Sequence, residues 1–211
     1  GEGGGKGGGR GGGGGGRPRE LPPAPGAIYL EANGRALYIA DGVQAVYGRV
    51  LVPVRVLAKA MDAQVDWDGG SRTVILTSGT GAIEDASLYY KEDELYWLSR
   101  IISAESRGEP LMGKIAVGNV VLNRAEHKDF PATIYGVIFD DRWGGQFEPV
   151  SNGTVYQTTT EESVLAARLV LDGADVAGES LYFLAPALTN NHWIMENKTF
   201  VMRIGAHWFY R

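Results

Sequence analysis

Cysteine is absent from the 211 residues, and histidine occurs only three times. The first absence excludes disulfides, a thiolate nucleophile and cysteine-based metal sites. The second leaves His127, His192 and His207 far apart, without the paired spacing that zinc peptidases place on one helix. We therefore expect no metal and no cofactor. No run of about 18 apolar residues occurs, so no segment is expected to span a membrane. Positive charge is not in excess either. The net charge of -5 gives no electrostatic reason to expect nucleic acid as a partner. No Walker loop and no Gly-x-Ser-x-Gly elbow is present. No positively charged segment leads into an apolar stretch, so the compartment has to be inferred from function.

Glycine is what the chain has in abundance, and much of it lies at the start. Residues 1–26 open with a glycine tract from Gly1 to Gly16, with Glu2, Lys6 and Arg10 interspersed, and continue through Arg17-Pro18-Arg19 and Leu21-Pro22-Pro23-Ala24-Pro25. Such a segment has little apolar surface to offset the entropy of ordering it. It is expected to be a disordered tether running into a stiffer spacer. An RNA-binding arm of the RGG type would want aromatic residues for base stacking, and the tract has none.

Residues 27–79 are expected to form a small domain of ββαββ type. Ile28, Leu30 and the run Ala36-Leu37-Tyr38-Ile39 flank Asn33-Gly34, a dipeptide suited to a tight hairpin. Val50 to Arg55 leads into a helix in which Val54, Leu57, Ala58 and Met61 recur at helical spacing. Strands at 64–67 and 73–77 follow, joined by Asp68-Gly69-Gly70-Ser71. Residues 80–91 have the composition of a linker. From 92 to 211 the pattern becomes mainly helical. One apolar face runs through Leu95, Leu98, Ile101 and Ile102, a second through Ile115 to Leu122, and a third through Val164 to Leu171. Thr160 is placed to cap the third helix and Gly173 to stop it. Residues 140–156 and 180–193 are expected to be loops and short strands, rich in aromatics and amides. The fold class is α+β.

One carboxylate stands out in Ile101-Ile102-Ser103-Ala104-Glu105-Ser106-Arg107-Gly108-Glu109-Pro110. Glu105 ends an apolar helical run, and the helix breakers Gly108 and Pro110 follow at once. A carboxyl group at such a junction can sit on the floor of a cleft, half out of water. Desolvation there raises its proton affinity, so it can carry a proton near neutral pH and pass it to a leaving group, as cleavage of a glycosidic bond requires. Glycosidases that hydrolyse need a second carboxylate. Glu109 lies across a helix break from Glu105, and Asp140, Asp141 and Glu148 fall in a loop of unknown placement. Those three acids are also the remaining candidates for a structural calcium site.

Two stretches carry resemblances to known families. The run GRVLVPVRVLAKAMDAQVDWDGGSRTVILTSG resembles the copper amine oxidase N-terminal domain, an accessory module of exported bacterial proteins. It has neither His nor Cys, so the resemblance implies no copper site. The run LSRIISAESRGEPLMGKIAVGNVVLNRAEHKDFPATIYGVIF, with the closing RIGAHWF, resembles the SleB/CwlJ-type cell-wall hydrolases over Glu94 to Tyr210. That resemblance implies a lysozyme/soluble-transglycosylase-like helical domain and a lytic transglycosylase activity on peptidoglycan glycan strands. It places Glu105 as the catalytic glutamate. Such an enzyme needs one acid only, because the sugar's own C6 hydroxyl acts as nucleophile and closes a 1,6-anhydro ring. The resemblance further suggests Ser106 as support for the site. Gln146, Phe147, Tyr182, Asn191 and Trp193 are then substrate-binding residues, although His192-Trp193 departs from the Lys-Trp of the family pattern.

The expected setting is extracytoplasmic, in cell wall or spore cortex. The expected partner is peptidoglycan, with any regulatory protein unidentified. A hydrolytic muramidase or glucosaminidase and a noncatalytic wall binder are the competing readings. The module before residue 80, having no catalytic group, is expected to be dispensable for cleavage of short soluble glycans.

Overall fold

The computed structural model describes residues 24–142, 145–189 and 192–211, so the glycine tract and Asn191 lie outside the described residues. The architecture is α+β, with small strands first and a helical domain after. Strands β1 (Tyr29–Ala32) and β2 (Arg35–Tyr38) pair antiparallel with Tyr29 opposite Tyr38. Asn33 and Gly34 both take positive φ, 48° and 73°. That is the turn whose twist matches the strands, and it is why the dipeptide forms a hairpin. A second hairpin, β3 (Gln44–Val46) and β4 (Arg49–Leu51), turns at Tyr47 and Gly48, again both at positive φ. Helix α1 (Val54–Ala60) and the hairpin of β5 (Gln64–Asp68) and β6 (Thr73–Thr77) complete this part.

The linker segment 80–91 carries a short helix, α2 (Ala86–Tyr89), capped by the Asp85 carboxylate, and it buries Ile83 and Tyr90. Helices α3 (Glu92–Ser106) and α4 (Leu111–Glu126) follow, then the short α5 (Ile134–Ile138) and α6 (Glu148–Ser151). A 3-10 turn at Thr154–Tyr156 leads to α7 (Glu161–Leu171), whose first turn is capped by the Thr160 hydroxyl accepting from the Ser163 amide. The chain ends with β7 (Tyr182–Leu184), α8 (Trp193–Asn197), β8 (Phe200–Ile204) and β9 (His207–Tyr210). The last three strands form an antiparallel sheet with β9 in the centre.

Helices α3, α4 and α7 make the core. Leu98, Ile101, Ile102, Ile115, Val117, Val121 and Leu169 are wholly buried together, each stabilising the fold by roughly 1.5–3 kcal/mol. The three helices meet at Gly118, where a Cβ would come within 2.9 Å of both Ile102 and Val170. The opposite side of α4 is polar and stitches down the chain after α7. Asn119 donates to the Ala174 carbonyl and accepts from the Val176 amide, while Asn123 donates to the Gly178 and Ser180 carbonyls. This is the physical content of the G-N-V-V-L-N-R stretch: small and apolar residues pack inward, and amides hold a loop that has no ladder of its own.

The first hairpin is part of this core. Ala36 belongs to the same buried cluster as Ile101 and Val170, and Ile28, Tyr29 and Tyr38 pack against it. Arg35 pairs with Asp172 at the end of α7, with both side chains almost fully removed from solvent. Tyr90 donates its hydroxyl to the same carboxylate, and Lys59 donates to the Asp172 carbonyl at 2.7 Å. The expectation that everything before residue 80 is dispensable is therefore revised, because its removal strips apolar cover from α7 and leaves Asp172 without its main partner.

Candidate active site

Glu105 lies one residue before the end of α3, where the helix gives way to Arg107-Gly108-Glu109. The turn that follows is held from the far end of the chain. Glu109 accepts the Ala206 amide at 3.0 Å, and its carboxylate lies 4.0 Å from His207 Nδ1. Lys114, only 2% exposed, donates to the Glu109 carbonyl and pairs with Glu162 at 2.8 Å. Gly205, at φ +58°, leaves no room for a side chain, since a Cβ there would fall 1.8 Å from Glu109 Oε2. The second glutamate of the E-S-R-G-E-P stretch and the Gly-Ala-His near the C-terminus are thus two sides of one brace. That brace fixes where α3 stops, and so where Glu105 points.

Glu105 faces a cleft of about 680 Å³ that Arg124, Phe130, Gln146, Phe147, Tyr182 and Trp193 help to line. The structure thus gathers Gln146, Phe147, Tyr182 and Trp193 around one space with Glu105. Ser106 is different. It is buried on the other side of the helix, and its hydroxyl donates back to the Ile102 carbonyl. It does not line the cleft, so any support it gives is to the end of α3. Asn191 lies outside the described residues.

Burial pushes the Glu105 carboxyl up to about 7, helped by the negative charge of Glu148 and opposed by the positive charge of Arg124. At neutral pH it is poised between acid and base. Arg124 is the counter-charge. It is 5 % exposed on α4, donates from Nε to the Leu181 carbonyl at 2.7 Å and from Nη1 to Gln146 Oε1 at 3.3 Å. Its guanidinium sits 5.0 Å from the Phe130 ring, 5.1 Å from Phe147 and 5.4 Å from Tyr182. Burial among these rings lowers its proton affinity to about 10, with nearby Tyr182, Asp140 and Glu105 working the other way. It stays charged at neutral pH. Lys198 lies 4.5 Å over the Tyr182 ring and 5.4 Å over Trp193, whose indole is 52 % exposed.

Arg124 is the site residue that the sequence did not single out, and Glu148, a second-carboxylate candidate whose loop could not be placed, reaches the cleft beside Glu105. Arg124 had a signal, a cation on an otherwise apolar helix face. Glu148 had one too, its place directly after Gln146-Phe147. The calcium candidates do not gather. Asp140 is paired with Arg142 at 2.8 Å. Among the described residues no group of three or more His, Asp or Glu is placed to hold a metal ion.

Residues 108–210 match the family described as Cell Wall Hydrolase, and residues 19–76 match the copper amine oxidase N-terminal domain. A spore cortex-lytic enzyme of Bacillus cereus is 34% identical over 120 residues, covering 57% of this chain and 45% of that protein. The cell wall hydrolase CwlJ of Oceanobacillus iheyensis is 32% identical, covering 59% of this chain and 91% of its own length. The solved catalytic domain of the germination-specific lytic transglycosylase SleB from Bacillus anthracis superposes with a TM-score of 0.53 at 34% identity, covering 58% of this chain and 97% of that one. The chain spans less than half the length of the spore cortex-lytic enzyme it matches. The family match begins at Gly108, after Glu105.

Proposed function

The chain belongs to the cell wall hydrolase family, and on that premise we propose that it cleaves peptidoglycan glycan strands as a lytic transglycosylase with Glu105 as its single acid and base. The observation that carries this reading is a carboxyl group raised to about 7 in a cleft lined by aromatic rings. Glu105 enters the reaction protonated and gives its proton to the glycosidic oxygen as the bond from C1 to that oxygen breaks. The resulting carboxylate is steadied by the Arg124 guanidinium. It then removes the proton from the C6 hydroxyl of the same sugar, whose oxygen bonds to C1 and closes the 1,6-anhydro ring. Glu105 ends protonated, as it began, and no water is consumed.

Tyr182 offers a flat face to a sugar ring, and Trp193 offers a second at the open edge, while Phe147, 5% exposed and packed in the core cluster, supports the cleft from behind. Gln146 is oriented by Arg124, which takes its amide oxygen and leaves the amide nitrogen for substrate. The first hairpin and the strands after it are proposed as an accessory domain that buttresses α7, on the boundaries 27–79, with 92–211 as the catalytic domain. The proposed place of action is cell wall or spore cortex. This fits the relatives' names, and no described helix is long and apolar enough to cross a membrane.

A hydrolytic reading is favoured by one observation. Glu148 brings a second carboxylate to the cleft beside Glu105, as hydrolysing glycosidases require. The test of the acid/base role itself is Glu105→Gln on purified sacculi. Turbidity is expected not to fall, with the fold intact by circular dichroism. Substantial residual lysis would assign the chemistry to another group.

A further inference from the structure

We propose that Asn152, Thr154 and Gln157 form a second sugar subsite, on the far side of Glu105 from the aromatic rings, so that a glycan strand lies across Glu105 with one ring in each cavity. The inference rests on the glycan reading above and adds residues outside the motifs that carry the family resemblance. Two cavities meet at Glu105 and Glu148. One is the aromatic cleft of about 680 Å³. The other is smaller, about 300 Å³, and no aromatic ring lines it. Its lining includes the polar residues Asn152, Thr154, Gln157 and Arg107.

A pyranose has two kinds of surface. Its C–H faces suit aromatic rings, while its hydroxyl edge and N-acetyl amide suit hydrogen-bonding groups. The two cavities divide along that line. A proton donor at their junction lies beside the oxygen that joins two rings only when one ring occupies each cavity.

The polar cavity is also preformed. Arg100 on α3 donates to the Gln157 carbonyl at 2.9 Å, and Val155 is fully buried between Thr154 and Tyr156. Asn152 Oδ1 accepts both the Thr154 amide and its hydroxyl, at 3.0 Å and 2.7 Å, which holds the loop. The Gln157 side-chain amide has no hydrogen-bond partner among the described residues and lines the cavity. A backbone tied from behind with the Gln157 amide left over is the arrangement that binding without reorganisation calls for.

The test uses the full chain carrying Glu105→Gln, so that ligand is bound and not consumed. Calorimetric titration with a peptide-free hexasaccharide of alternating N-acetylglucosamine and N-acetylmuramic acid is compared with titration by the disaccharide. Adding Gln157→Ala or Gln157→Leu is expected to weaken hexasaccharide binding by about 3- to 10-fold each, the loss of one ordinary hydrogen bond. Disaccharide binding, satisfied by the aromatic cleft alone, is expected to stay the same. Gln157 holds nothing in the fold through its side chain, so its variant keeps the native melting temperature. With Glu105 restored, Gln157→Ala is expected to shift the position at which the hexasaccharide is cut. Unchanged hexasaccharide affinity and an unchanged cutting position in both variants would overturn the subsite while leaving the proposed function standing. If the parent binds neither sugar, the glycan reading falls, and the subsite with it.

Discussion

Asp172→Asn tests whether the first hairpin is a wall of the helical domain. The Asp172 side chain is 0% exposed and that of Arg35 is 6%. Arg35 donates through Nε at 3.1 Å as well as through Nη2, and its guanidinium lies 3.2 Å from the Tyr89 ring centre. Burial works against the Arg35 charge, yet the hydrogen bond and negative charge of Asp172 hold its proton affinity above the ordinary value. Burial and the bond to Asp172 push Tyr90 upward too, so its hydroxyl remains a donor to that carboxylate. An Asn at 172 keeps the volume but leaves a buried guanidinium with no counter-charge, a change that costs about 3–5 kcal/mol. Set against a total of roughly 5–15 kcal/mol, that is a large share. In urea, with an unfolding slope of about 2 kcal/mol per molar, the midpoint followed by tryptophan fluorescence should fall by about 2 M. The double variant Arg35→Met with Asp172→Leu should recover most of the loss, because an apolar pair of similar volume has no charge to desolvate. A midpoint shift under about 0.5 M for Asp172→Asn would refute the reasoning and return the hairpin to the role of a loosely held appendage.

Three further predictions follow from the site. Glu105 holds its proton in the folded state from its ordinary 4.5 up to about 7, whereas the unfolded chain releases it at the lower value. Its contribution to stability is thus complete below pH 4.5 and is lost as pH rises through 7, by about 3 kcal/mol in all. Urea titrations across this range should show the slope in the parent and not in Glu105→Gln, and equal slopes would contradict the assignment. Activity should decline above the same pH as the acid form disappears. Gly205→Ala should destabilise by about 2 kcal/mol, through a left-handed backbone and the displaced bond from Ala206 to Glu109. Thermal melts of Gly205→Ala, Glu109→Ala and the double variant should show a double loss smaller than the sum, and strict additivity would argue against the brace. Exhaustive dialysis against EDTA should leave lysis of sacculi intact, and a loss restored by zinc would point to a metal-dependent amidase instead.

What could be read from the chain divides by the range of the interactions involved. Asn33-Gly34 and the Thr160 cap were legible because a few neighbouring residues determine them, and α3, α4 and α7 because their apolar spacing is regular. The β3–β4 turn was not, since a Tyr at positive φ carries no composition signal. Residues 80–91 had the composition of a linker, yet Tyr90 is buried by a carboxylate 82 positions away. Glu105 was legible as a candidate from the broken helix after it. Its surroundings were not. Arg124 arrives from the next helix, Glu148 from a loop, and the brace from Gly205 and Ala206 at the opposite end of the chain. Ser106 shows the limit of reading side chains by adjacency. One residue along a helix is a rotation of roughly 100°, enough to take its hydroxyl from the cleft to the helix backbone.

The central claim is that one carboxylate serves as acid and then as base, with the sugar supplying the nucleophile. Mass spectrometry of the muropeptides released from purified sacculi and from spore cortex tests it most directly. The account predicts fragments ending in 1,6-anhydro-muramic acid from the parent chain and none from Glu105→Gln. Fragments ending in reducing sugars, or release by the Glu105→Gln chain at a rate close to the parent's, would contradict it.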